Sequence, residues 1–172
     1  MYLFPRIEPA MRLTRYTDYS IRTLIYLAAR PDRLSSISEI ATAYGISQNH
    51  LMKVVHELGK AGYVETLRGR TGGVRLARPP ETITIGEVVR RMEDGFDLVD
   101  CPSCPINGAC GVQGVLAEAT RAFLAVLDRR TLASVTGGPN GLRAVLAALK
   151  TPRTLAAASG CEREAVPDDV AG

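Results

Sequence analysis

The 172-residue chain has no tryptophan, three phenylalanines and two histidines. With so few aromatic residues, its hydrophobic content of 46% must build a core mainly from aliphatic helices. No apolar run approaches the roughly 18 residues that cross a bilayer, so no membrane partner is expected. A secretory signal is not expected either. The opening Met1–Ala10 carries Glu8 and two prolines, and reads as an extension or a misassigned start. The setting implied is cytoplasmic. Cysteine is scarce, at four residues, yet three of them fall within ten positions.

That stretch is Cys101-Pro-Ser-Cys104-Pro-Ile-Asn-Gly-Ala-Cys110. Thiolates this close together suit a soft metal centre, because sulfur favours iron–sulfur clusters, zinc or Cu(I) over harder ions. Pro102 and Pro105 forbid a continuous helix, and Gly108 permits a close turn. A structural zinc site usually draws two ligand pairs from separated turns, and no second pair follows. A disulfide needs an oxidising compartment. Inert core thiols sit poorly in a polar loop with two prolines. The working reading is an iron–sulfur cluster, of two or four irons, held by Cys101, Cys104 and Cys110. Three thiols leave one coordination position to be filled from elsewhere or to stay exchangeable. Cys161 lies far along the chain, in a small and polar segment, and is not expected to be a ligand.

Charge is unevenly distributed. Residues 1–78 hold 12 Lys/Arg against 6 Asp/Glu, whereas residues 79–172 hold 9 against 12. A basic first half suggests that this part alone meets a polyanion.

Periodicity divides the chain further. Ile21, Leu24, Ile25 and Ala28 recur at helical spacing, predicting a helix from Thr17, with Thr17 and Asp18 at its cap and first turn. Ser36-Ile-Ser-Glu39 is a capping-box pattern opening a short helix that Gly45 ends. Ser47 then stands where it can cap a third helix running to about Lys60, with Leu51, Val54, Val55 and Leu58 on its inner face. Its outer face presents Asn49, Lys53, His56 and Lys60, with Gln48 and His50 near the start. Two short helices joined by a tight glycine turn describe a helix-turn-helix, whose second helix enters the major groove. The candidate DNA contacts are Ser47, Gln48, Asn49, His50, Lys53 and His56. Amides at 48 and 49 can pair with adenine, and lysines can reach phosphates. Taken singly, each of these is equally an ordinary surface residue.

Tyr63–Leu67 and Val74–Leu76 predict two strands around the basic, glycine-rich turn at residues 68–73, which together form a wing. Arg68, Arg70 and Arg75 are its candidate DNA contacts, directed at a minor groove or at flanking phosphates. A nucleotide-binding loop is excluded because no P-loop lysine and serine follow. After Pro79-Pro80, Thr84-Ile-Gly-Glu87 opens another helix, and the cysteine loop follows it. Val112, Val115, Leu116, Ala119, Ala122, Phe123 and Val126 then trace an apolar stripe over about four turns. A second copy of the chain is expected to cover that stripe as a two-fold dimer; residues 131–149, also helix-prone, are the alternative cover. From Thr151 a mobile tail is expected. The expected division is therefore residues 1–10 as an extension, 11–80 as a winged helix-turn-helix and 81–135 as cluster loop plus dimerisation helix. Residues 136–172 form a helix-prone segment and a tail. The fold class is mainly α with a small β-wing.

Met11-Arg-Leu-Thr-Arg-Tyr-Thr-Asp-Tyr19, the Ser36–Gly62 helix pair, Arg68-Gly-Arg-Thr-Gly-Gly-Val-Arg-Leu76 and the three cysteines together resemble the IscR/NsrR family of winged-helix iron–sulfur regulators. Tyr16-Thr-Asp-Tyr19, Ile37-Ser-Glu-Ile40, Asn49-His50 and Ala61-Gly-Tyr-Val64 look most like its NsrR branch. The resemblance covers about residues 11–135. It implies a non-enzymatic homodimer that represses genes from a near-palindromic DNA operator and releases it in response to nitric oxide. It also implies that Asp18, supplied by the partner subunit, completes the cluster. One departure from the family pattern is the short Cys101-x2-Cys104 interval; Cys104-x5-Cys110 matches it. Regulators of iron or cluster status, RirA-like or IscR-like, share the fold and are the alternative. A zinc-stabilised DNA-binding module and a redox enzyme or electron carrier are further alternatives, and the last explains neither the wing nor the helix-turn-helix.

Overall fold

The computed structural model describes residues 12–69 and 72–137, together with 142, 145 and 146. The expected N-terminal extension, Arg70, the expected tail and Cys161 lie outside the described residues.

The described residues form, in order, α1 Arg15–Ala28, α2 Ile37–Tyr44, α3 Gln48–Lys60, the hairpin β1 Val64–Leu67 and β2 Gly73–Leu76, α4 Ile85–Met92, α5 Val112–Asp128 and α6 Leu132–Thr136. A single 3₁₀ turn at Pro80–Thr82 precedes α4. The predicted class, helical with a two-stranded wing, is the observed one.

Helix α1 starts earlier than predicted. Thr14 is its cap, its hydroxyl accepting the Thr17 N–H at 3.2 Å, and Thr17 itself is fully buried one turn inside. Either threonine satisfies the capping rule, and only the packing of Thr17 into the core decides between them. At α2 the predicted cap is present: Ser36 accepts from the Glu39 N–H at 3.0 Å. Gly45 ends the helix with φ 63°, a left-handed conformation that strains any residue with a Cβ. The chain turns there directly into α3.

One contiguous core joins these elements. Leu24 and Leu27 of α1, Ile40 of α2, Leu51, Val54 and Leu58 of α3 and Val74 of β2 are buried together with Ile83, Val88 and Met92 around α4, and with Leu132. The hairpin is antiparallel with Val64 opposite Leu76 and Leu67 opposite Gly73. Its free edge is extended by Ser35, which exchanges both backbone hydrogen bonds with Val74.

Helix α5 runs antiparallel to α4 and is fixed at its C-terminal end. Asp128 receives a two-pronged ion pair from Arg90, both bonds 2.6 Å. The chain just beyond it pairs with the segment before α4, through Ile85 N–H to Arg130 O and Leu132 N–H to Ile83 O. At 17 residues α5 is about twice the length of α4. Its N-terminal part therefore extends past α4, and no residue of α5 is buried. Val115 is 66% exposed, and Val112, Phe123 and Val126 are also exposed. Within the described residues, the 131–137 segment packs on α1 and the 3₁₀ turn and leaves the α5 stripe uncovered.

Candidate functional site

Helix α3 buries Leu51, Val54, Val55 and Leu58, which turns the predicted outer face to solvent. Ser47, Gln48, Asn49, His50, Lys53 and His56 are all exposed, as expected, and Met52 stands among them. Ser47 occupies the cap position, but its side chain makes no capping hydrogen bond. Lys60 is drawn to Glu57 at 2.7 Å, and this contact holds the Glu57 carboxyl below its ordinary range. Lys53 has no ion pair among the described residues.

The wing arginines divide. Arg68 is exposed at the end of β1, without an ion pair among the described residues. Arg75 sits opposite Glu65 across the hairpin and is ion-paired to it, so part of its charge is already balanced. Arg70 lies outside the described residues. The structure thus presents Ser47 to His56 on one helix face and places Arg68 and Arg75 on the adjoining hairpin.

Two contacts between elements distant in sequence position α3. The Tyr16 hydroxyl of α1 donates to the backbone carbonyl of Lys53 at 3.2 Å. Glu93, the first residue after α4, accepts from the Thr14 N–H at 2.7 Å and from its hydroxyl at 3.2 Å. Because Glu93 is extended rather than helical, α4 stops at Met92. The segment leading into the cysteine loop is thereby tied to the start of α1, and α1 is tied to α3.

A second, partly exposed network links α1 to α2. Glu39 accepts from Tyr26 at 2.7 Å and from Arg33 at 2.9 Å. It does not reach back to the Ser36 backbone as a full capping box would. The Arg33 hydrogen bond, helped by Tyr26, lowers the Glu39 pKa to about 2. Burial first, then the Glu39 hydrogen bond, raises the Tyr26 pKa to about 12.

The cysteine loop joins α4 to α5 as a series of turns. Cys104 N–H bonds Cys101 O at 3.1 Å, and Asn107 N–H bonds Cys104 O at 3.0 Å. The Ser103 hydroxyl donates to the Asp100 carboxylate at 2.6 Å. Cys101 and Cys104 are half-buried, Cys110 is exposed, and all three are free thiols. Among the described residues, no three His, Cys, Asp or Glu side chains converge closely enough to share a metal ion. The donor set nonetheless fits an iron–sulfur centre: three thiols within Cys101–Cys110, a stretch that contains no imidazole or carboxylate. Asp18 lies on α1, half-exposed and paired with Arg22 at 2.8 Å, remote from the role of a ligand within its own chain. A cavity of about 360 Å³ lies between the start of the loop (Gly95–Leu98), residues 12–13 and α5 at Ala119–Phe123.

The profile of a family described as Rrf2, iron-dependent transcriptional regulators, matches residues 13–138. The chain belongs to the Rrf2 family. Within the family it is similar to the HTH-type transcriptional regulator NsrR of Bacillus subtilis, 58% identical over 71% of this chain and 88% of that protein. It is similar in structure to CymR, the global cysteine regulator of B. subtilis (TM-score 0.64, 25% identity, 74% of this chain and 97% of that one). IscR of T. potens is likewise similar (TM-score 0.61, 26% identity, 73% and 86%). The Rrf2 membership bears out the IscR/NsrR resemblance and makes this chain a DNA-binding transcriptional regulator, as the relatives named above are regulators. No described helix is long and apolar enough to cross a membrane.

Sequence reasoning missed Glu93, Tyr16 and Met52. Glu93 and Tyr16 act across 79 and 37 residues of sequence, a range no periodicity reports. Met52 had a readable signal, because it falls outside the apolar set 51, 54, 55, 58.

Proposed function

We propose that this Rrf2 regulator is a cytoplasmic homodimeric repressor that binds a palindromic operator while an iron–sulfur cluster is held by Cys101, Cys104 and Cys110, and releases it in response to nitric oxide. Such a cluster, when bound, supplies iron that nitric oxide can ligate. Asp18 of the partner subunit is the proposed fourth ligand, and Arg22 at 2.8 Å would orient its carboxylate.

The observation that carries this reading is the connection from loop to recognition helix. Glu93 joins the loop's entry to Thr14, and Tyr16, two residues on, donates to the Lys53 backbone carbonyl. A loop held in one arrangement keeps Glu93 in place; a loop released lets α1 and α3 shift together. The exposed stripe on α5 is the proposed two-fold seam, which sets the recognition helices about 34–36 Å apart, one turn of DNA. Ser47–His56 read the groove, while Arg68, Arg70 and Arg75 hold the flanking backbone or minor groove. A coupling of roughly 1–3 kcal/mol would change affinity about 5- to 150-fold.

The test is an anaerobic titration of the full chain against duplexes selected from a random pool, with and without nitric oxide. Wild type is expected to be coloured and dimeric, and to lose binding with nitric oxide. Cys104→Ala and Asp18→Ala should bind weakly or respond poorly. Loss of binding on iron chelation but not with nitric oxide would instead identify an iron or cluster-status regulator. A colourless, zinc-loaded protein with unchanged binding would overturn the cluster reading.

A further inference from the structure

The exposed face of α3 contains one side chain that does not fit the rest. From Gln48 to His56, each exposed residue is polar or charged except Met52, which is 45% exposed. Positions 49, 52, 53 and 56 share one stripe, because a helix brings i, i+3, i+4 and i+7 to the same side. Met52 thus lies between Asn49 and His56, on the face opposite Leu51, Val54, Val55 and Leu58.

A thioether on such a face has little to offer phosphates and forms no strong hydrogen bond. The major groove presents one apolar group to it, the C5-methyl of thymine. We propose that Met52 is a specificity-determining residue that reads thymine by packing its terminal methyl against that C5-methyl. Three residues of helix advance about 4.5 Å, between one and two base-pair steps, so Asn49 would read an adenine in a neighbouring pair. The inference rests on the operator-binding part of the proposed function and is independent of what the cysteine loop holds.

The experiment begins with anaerobic selection of duplexes from a random pool by the full-length wild-type chain. Each thymine of the selected half-site is then replaced by uracil, which removes the methyl and leaves base pairing intact. At one position per half-site, uracil should weaken wild-type binding about fourfold, the worth of one buried methyl-sized group. Met52→Leu should retain that dependence, whereas Met52→Ala and Met52→Gln should bind thymine and uracil duplexes alike. Met52 is exposed, so these variants keep the core intact, and their thermal unfolding should match wild type. If uracil weakens Met52→Ala as much as wild type, or weakens neither at any position, the inference is overturned. A chain that selects no sequence at all overturns the operator-binding reading, and this inference with it.

Discussion

Replacing Gly86 with alanine tests how α4 and α5 are joined. A Cβ at this position would overlap Oδ1 of Asp128 and lie 2.9 Å from the Asp128 backbone nitrogen. The carboxylate can rotate away only by giving up its two bonds to Arg90. The nitrogen belongs to the main chain and cannot rotate away, so the helices must separate by several tenths of an ångström. Helix propensity pulls the other way, since alanine is favoured over glycine inside a helix by about 1 kcal/mol. Overpacking of a close contact typically costs about 1–3 kcal/mol, and here backbone is the obstacle. The clash should win, for a net loss of about 1–2 kcal/mol. In a domain of this size that lowers Tm by roughly 2–8 °C. Thermal unfolding followed by circular dichroism measures it directly. Adding Asp128→Ala to Gly86→Ala should recover part of the loss, because the carboxylate is removed and the nitrogen remains. A Gly86→Ala chain as stable as wild type, or more so, would refute the close crossing and with it the anchoring of α5.

Glu39 makes acid stability testable. Its pKa is lowered from 4.5 to about 2 in the fold, so its contribution is fully present above pH 4.5 and is lost as pH falls toward 2. With its partial exposure discounted, that contribution is about 1–2 kcal/mol; urea unfolding at pH 7 and pH 3 should show a shallower acid decline for Glu39→Gln than for wild type. Tyr16→Phe removes only the bond to Lys53 O and should cost less than about 1 kcal/mol of stability. It should still weaken anaerobic DNA binding by about two- to fivefold, and equal affinity would remove Tyr16 from the coupling.

Local signals were legible and distant ones were not. Ser36 and Gly45 mark the ends of α2 because a hydroxyl cap and a left-handed glycine act within a few residues. Leu51, Val54, Val55 and Leu58 assign the inner face of α3 because burial repeats with the helical turn. The bare stripe on α5 was readable for the same reason. At the start of α1 the local rule was ambiguous, since Thr14 and Thr17 are both competent caps and tertiary packing chose. Glu39 shows a further limit: its capping-box position was right, but Tyr26 and Arg33 offered its carboxylate stronger partners than the Ser36 backbone. The spacing of the three cysteines suggested a soft metal centre without help from any distant contact. Their loop's connection to the reading head passes through Glu93, whose partner is nearly half the chain away.

The one-sided fastening of α5 has a geometric consequence. Asp128 is pinned against α4, while Val112, about 24 Å away along the helix axis, begins where the cysteine loop ends. Rotation about the pinned end is felt most at the other: a 10° swing carries Val112 through about 4 Å. That exceeds the roughly 3.4 Å between stacked base pairs. Any rearrangement of the cysteine loop therefore acts on α5 at the end farthest from its anchor, where the helix has the longest arm.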